Sequence, residues 1–230
     1  MGKILLVPDV HGRSFWREAK NRVDEYEYII FLGDYLDPYP WEGITWEEAE
    51  KGFIEILNFK KEHSNKVVLL IGNHDYHYID MQFMDCSRLN HKLREHIHNV
   101  FEENKNLFQL GFAYLDDKCD YLFTHAGVYE EWLHENDIFV EDILNKVVSS
   151  TALSSISLWR GGVDNVGSCI WADIHEYYNH TPAEGWIQYV GHSQQQSHPH
   201  KTRAITCVDC RRLFELDPKT NKLREIKENE

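Results

Sequence analysis

No stretch of this 230-residue chain is apolar over the about 20 residues that a membrane-spanning helix needs. A signal-peptide pattern is missing too. Met1-Gly2-Lys3 runs straight into Ile4-Leu5-Leu6-Val7, with no separate charged region, long apolar region or cleavage site. Leu6 stands where a myristoylation signal wants Ser or Thr. The five cysteines are too few and odd in number for a disulfide framework, so they read as reduced thiols, and the expected compartment is the cytoplasm. Cys207-x-x-Cys210 is the one close pair, and it lacks the second pair or spaced histidines of a zinc site. Positive charge is short as well. With 24 basic against 38 acidic side chains the net charge is -14, which opposes loose binding to nucleic acid or to an anionic membrane. A polyanionic substrate would need local positive charge, which bound metal ions could supply.

What is present is an ordinary globular composition, 42% apolar and 27% charged. The length suits one core, and a single domain over residues 1–230 is expected, with only the last few residues reading as disordered. There is no internal repeat and no low-complexity linker.

Apolar runs at Lys3 to Val7, Tyr28 to Leu32 and Val67 to Ile71 predict three strands. Between them Arg13 to Asn21 predicts a short helix opened by Ser14. Trp46 to about His63 predicts a longer one, capped by Thr45 with Glu48 as a capping box and with Ala49, Phe53, Ile54 and Leu57 at helical spacing. This βαβαβ start implies parallel pairing with right-handed crossovers. Afterwards strands dominate: Leu107 to Leu115, Tyr121 to Thr124, Ile187 to Val190, Ala204 to Val208 and Leu213 to Leu216. The fold class expected is α/β, two packed mixed sheets flanked by helices. A helical and loop segment at about 126–185, with an amphipathic helix at Val140 to Leu153, is expected to cap the site.

Chemistry gathers at the strand ends, where α/β proteins place their sites. Asp9-Val10-His11-Gly12 follows the first strand, and residues two apart in extended backbone project to one side, so Asp9 and His11 can grip one ion. Gly33-Asp34-x-x-Asp37 delivers a second carboxylate, read as bridging two metals. Gly72-Asn73-His74-Asp75 ends the third strand, with Asn73 a neutral oxygen ligand and His74 free for proton transfer. A specified four-residue string arises by chance on the order of once in a thousand such chains, so this block is the strongest single signal. His125-Ala126-Gly127 and Gly191-His192-Ser193 supply neutral imidazoles after later strands.

In this order the five blocks resemble the signature of the calcineurin-like metallophosphoesterases, and most closely their phosphoprotein phosphatase and symmetrical diadenosine tetraphosphatase branch, with the related phage-type phosphatases. The resemblance implies a two-metal site: Asp9 and His11 on the first metal, Asp34 bridging, and Asn73, His125 and His192 on the second. Mn is the first expectation for both ions, with Fe, Zn, Ni or Co as alternatives. It implies that His74, steadied by Asp37, protonates the leaving group after in-line attack by a water shared between the metals. The expected substrate is a phosphorylated small molecule, a nucleotide or a phosphoprotein.

Two departures stand out. Gln194 replaces the second His of the Gly-His-x-His found in diesterase and nuclease branches; His198 and His200 read first as surface histidines, with substitution at the first metal as the alternative. Pro38 stands where phosphoprotein phosphatases carry a phosphate-binding Arg; Arg160, in a glycine-rich stretch, is the first replacement candidate and Arg13 the second. The aromatic residues Tyr35, Tyr39, Trp41 and Trp46 either pack their loop onto the body or stack a nucleobase. The stretch His91 to His98 reads as solvated helix surface. The functional classes open are a metal-dependent phosphatase, a phosphodiesterase or nuclease of the same superfamily, and a non-catalytic scaffold.

Overall fold

The computed structural model describes residues 2–227, so the expectation for the last few residues lies outside the described residues. In chain order the elements are β1 (Ile4–Val7), α1 (Glu18–Asn21), β2 (Tyr28–Phe31), α2 (Trp46–Glu62), β3 (Val67–Leu70), α3 (Asn73–Ile79), α4 (Arg94–Glu103), β4 (Phe108–Gln109), β5 (Gly111–Leu115) and β6 (Asp120–Thr124). There follow α5 (Glu130–Glu135), α6 (Val140–Leu144), α7 (Ser150–Leu153), β7 (Trp186–Val190), β8 (His200–Lys201), β9 (Ile205–Cys207), β10 (Phe214–Asp217) and β11 (Lys222–Glu225).

Two mixed sheets result. One runs β11-β10-β1-β2-β3-β4 and the other β5-β6-β7-β9-β8. β1 to β4 are parallel neighbours, as the βαβαβ reading expects, while β10 returns antiparallel to β1. In the second sheet β6, β7 and β9 are parallel, with β5 and β8 antiparallel at the edges.

The period of two in a strand explains why the central strands are apolar throughout. Ile4, Leu6, Ile30, Leu32, Val68 and Leu70 face the second sheet, meeting Tyr121, Phe123 and Tyr189. Leu5, Val7, Ile29, Phe31, Val67 and Leu69 face the helices, meeting Trp16, Phe53 and Ile56. With both faces apolar, burial alone discriminates weakly against a one-residue slip. Hydrogen bonds past the strand ends supply the register: Val10 and His11 N–H groups donate to the Asp34 carbonyl at 3.1 and 2.7 Å, and Gly12 N–H donates to the Tyr35 carbonyl at 2.9 Å. The same bonds join the two loops that carry the first carboxylates.

Helix α2 has the capping box expected at Thr45 and Glu48, and it buries Ala49, Phe53 and Leu57, but Ile54 is exposed and Ile56 and Phe59 take the inner face. Four other expectations are corrected. Leu107 to Leu115 is not one strand: the chain leaves the first sheet after β4 and enters the second at β5, with Leu110 buried between. Val140 to Leu153 is broken into α6 and α7, with Lys146 at φ 57°, a left-handed residue that ends a helix. Gly72 caps α3, so Asn73, His74 and Asp75 form its first turn rather than a strand end. Arg13 to Asn21 is α-helical only over α1, and the Ser14 side chain caps nothing.

Candidate metal centre

The loops after β1, β2, β3, β6 and β7 bring the five blocks together. Two groups of ligand-capable side chains form, Asp9 with His11 and Asp34, and Asp34 with His125 and His192. Asp34 belongs to both. Its Oδ2 lies 3.4 Å from His11 Nε2 and 3.6 Å from His125 Nε2. Asn73 Oδ1 is 3.0 Å and His192 Nδ1 3.1 Å from that same His125 nitrogen.

The tautomers decide whether these contacts are hydrogen bonds or metal ligation. His11 Nδ1 donates to the Leu36 carbonyl at 2.8 Å and His125 Nδ1 to the Leu32 carbonyl at 2.7 Å, so each Nε2 keeps its lone pair. Cys86 Sγ lies 3.7 Å from Asn73 Nδ2, which turns Asn73 Oδ1 toward His125. Acceptor therefore faces acceptor at both places. Two donors bound to one ion at about 2.1 Å and at a right angle lie about 3 Å apart, so the residues fit a pair of cations. In a third cluster the Asp37 carboxylate lies against two imidazoles, 2.6 Å from His74 Nδ1 and 3.0 Å from His77 Nε2. His77 Nδ1 accepts from the Cys86 N–H at 3.2 Å, leaving its Nε2 proton to face Asp37 Oδ2 at 3.0 Å.

Burial drives the Asp34 carboxyl well above the usual range, and the charge of Asp9 adds to it. Burial also holds the imidazoles of His11 and His192 well below their ordinary value, with His74 the next cause at His11 and Arg160 at His192. Neutral imidazoles are ligand-ready, and a cation would reverse the penalty on Asp34. At Asp37 burial raises the carboxyl, but hydrogen bonds from His74 and His77 outweigh it and the net shift is downward.

The backbone is bent to reach these positions. His11, Asp34, Asp37 and His192 all have positive φ, 45°, 55°, 58° and 64°, a conformation costly without Cβ-free glycine and concentrated at functional sites. Asp75 is buried and holds the turn, accepting the N–H groups of Asp34 at 2.7 Å, Tyr35 at 3.0 Å and Gly72 at 2.8 Å. A Cβ on Gly72 would collide with the Asp34 carboxylate, and one on Gly191 with that of Asp9. Both glycines are required by close approach.

A profile of the calcineurin-like phosphoesterases matches residues 2–201. The chain belongs to that family. This phosphoesterase is 26% identical over 138 residues to a symmetrical bis(5'-nucleosyl)-tetraphosphatase of Enterobacter sp. (strain 638), a match covering 55% of this chain and 44% of that relative. The match thus takes in less than half of the curated relative's length. A protein serine/threonine phosphatase from Saccharomyces cerevisiae superposes with a TM-score of 0.59 at 15% identity, over 100% of this chain and 81% of that one, and supports the fold.

Around the phosphoesterase's metal-capable groups, His74 Nδ1 meets Asp37 Oδ2 at 2.6 Å, and Tyr78 donates to the other oxygen at 2.7 Å. Arg160 reaches the His192 loop but is engaged there: Nε lies 2.7 Å from Asp173 Oδ2, and Nη2 donates to the Ser193 hydroxyl at 2.5 Å. Arg13 is held by Glu42 at 2.8 and 3.0 Å. His198 and His200 belong to neither metal-capable group among the described residues.

The residue missed by sequence reading is Arg88. Its Nη2 lies 3.2 Å from His74 Nε2 and its Nε donates to the Asp37 carbonyl at 3.0 Å. No carboxylate among the described residues pairs with it in a salt bridge. Asp209, missed as well, is buried after β9 with Oδ1 unpartnered, and the charge of Asp9 helps burial push its carboxyl up. Tyr35 packs inside, its ring 5.4 Å from Phe53, whereas Trp41 is 73% exposed.

Proposed function

We propose that this chain is a metal-dependent phosphatase cleaving phosphate monoesters, with one divalent ion on Asp9, His11 and Asp34 and a second on Asp34, Asn73, His125 and His192. The observation that carries the reading is Asp34, whose Oδ2 faces imidazole lone pairs in both groups. The mixed oxygen and nitrogen donors suit Mn first, then Fe, Zn, Ni or Co. When bound, such a pair supplies Lewis acidity that activates water and offsets charge on the phosphoryl oxygens.

The chain's own side chains do the rest. Arg88 binds phosphoryl oxygens beside His74, and Arg160 stands at the His192 carbonyl. Asp37 keeps a proton on His74 Nδ1 and orients the ring, so that Nε2 hands its proton to the departing oxygen. The whole chain acts as one domain, with residues at about 126–185 as a cap. Support for that part comes from Trp171, whose ring lies 5.9 Å from that of His192, and from Arg160. Gln194 lies against Arg211 instead of supplying a second imidazole, which supports monoesters over diesters. The names of the two relatives support nucleotide polyphosphates and phosphoproteins as substrate classes. All five cysteines are free and four are buried, in keeping with a reducing compartment such as the cytoplasm.

The test uses metal-stripped protein with p-nitrophenyl phosphate and its bis ester, with and without manganese. Manganese-dependent cleavage of the monoester is expected, and preference for the bis ester would instead make the chain a phosphodiesterase.

A further inference from the structure

Parallel strands deliver the metal-capable residues at their carboxyl ends: Asp9 after β1, Asp34 after β2, Asn73 after β3, His125 after β6 and His192 after β7. β9 runs parallel to β7 and ends at the same side. Its Cys207 pairs with Val190, so Asp209, two residues on, stands in register with His192, two residues past Val190. Val208 N–H donates to the Val190 carbonyl at 2.8 Å and Gln195 N–H to the Asp209 carbonyl at 2.7 Å, which hold the two loops side by side. His192 N–H in turn reaches both carboxylate oxygens of Asp9, at 3.0 and 3.1 Å. Asp209 is thus one row away from the residue that fixes Asp9.

Its surroundings do not satisfy it. Asp209 is 4% exposed, and its Oδ1 has no hydrogen-bond partner among the described residues. After burial, the influences on its carboxyl are the like charges of Asp9 and Asp34 and the opposite charges of Arg13 and Arg211. The arginines are bound elsewhere. Arg13 donates to Glu42 and to the Asp9 carbonyl at 3.2 Å, and Arg211 Nη1 lies 3.1 Å from Glu42. A buried carboxylate oxygen without a donor, close to two further carboxylates, is costly unless a cation or its water comes between them.

The first metal-capable group has room for such a contribution. It consists of Asp9, His11 and Asp34, of which Asp34 is shared, and Gln194 lies against Arg211 instead of joining it. Asp209 lies outside that close group, so its reach to a cation there runs through a water. We propose that Asp209 is an outer-sphere carboxylate of the first cation: its Oδ1 accepts from a water held by the ion on Asp9, His11 and Asp34, and its charge retains that ion without a second imidazole. Asp209 is a positioning residue and touches no substrate. The inference rests on the two-cation reading above.

The experiment is calorimetric titration of the metal-free full chain with manganese, which needs no turnover. His192→Ala removes a ligand of the second group and His11→Ala one of the first, so each background leaves the other site to be read alone. Asp209→Asn keeps the shape and removes the charge. It should weaken the ion remaining in His192→Ala about 10- to 100-fold, the range typical of outer-shell partners, and leave the ion remaining in His11→Ala unchanged. Urea denaturation without metal should find Asp209→Asn at least as stable as wild type, since an unpaired buried charge is gone. Equal weakening in both backgrounds, weakening in neither, or a less stable metal-free Asp209→Asn overturns the role, while two ions on wild type leave the functional reading standing. Wild type that binds no manganese overturns that reading and this inference together.

Discussion

Arg88 Nη2 lies 3.2 Å from Nε2 of His74, a cation donating to the ring proposed as the proton donor. With Asp37 fixing the Nδ1 proton, this contact needs a neutral imidazole, and burial with the Arg88 charge lowers the His74 pKa while Asp37 opposes them. A phosphate arriving between the two groups takes over the Arg88 hydrogen bond and draws a proton onto His74 Nε2, which is the proton available to the departing oxygen in the proposed function.

Arg88→Ala should therefore lower kcat/KM by about 10²- to 10³-fold, the loss typical of one removed oxyanion donor. Inorganic phosphate should become a weaker product inhibitor. Steady-state kinetics with phosphate titration checks this, and a wild-type Arg88→Ala beside a crippled Arg160→Ala would return the role to Arg160.

Gly191→Ala places a methyl group against the Asp9 carboxylate, and should weaken the first metal site. Gly52 is the control, since nothing lies within 4 Å of a Cβ there and it sits inside α2. Gly52→Ala should raise stability by about 1 kcal/mol. Calorimetric metal titration and urea denaturation of both variants separate a site effect from general destabilisation.

Glu215, on β10, accepts from Arg224 at 2.7 and 2.9 Å and pairs with Lys3 at 2.9 Å. Burial alone would raise its carboxyl, but Arg224 and Lys3 outweigh burial and hold it below the ordinary value of 4.5. A lowered folded pKa gives stability that is present above the unfolded value and lost as pH falls through the folded one. The stability gap between wild type and Glu215→Gln should thus be constant above about pH 5 and shrink below 4.5. A gap independent of pH down to acid unfolding would show that the ion pairs contribute nothing.

The strands and the metal-capable residues were legible because their signals are local. β1, β2 and β3 are buried on both faces and read as unbroken apolar runs, and the residues after them carry their chemistry in their own side chains. What escaped depends on distant contacts. The break at Leu110 is marked only by Gly111, a weak signal inside an apolar run, and arises because β4 joins Leu69 while β5 joins Phe123. β8 and β11 are short or exposed edge strands whose pairing comes from a neighbour. Arg88 lies in a loop of ordinary composition, and only the fold carries it to His74. Asp75 was visible within its block, yet its task of accepting three backbone N–H groups is written in no spacing.

If two cations share Asp34 while His74 serves the leaving group and no metal, the two residues differ in what their loss removes. We would measure bound manganese per chain and turnover of p-nitrophenyl phosphate in wild type, Asp34→Asn and His74→Asn. Two ions and turnover are expected in wild type, weakened binding and no turnover in Asp34→Asn, and two ions without turnover in His74→Asn. Unchanged metal binding in Asp34→Asn, or normal turnover in His74→Asn, would contradict these roles.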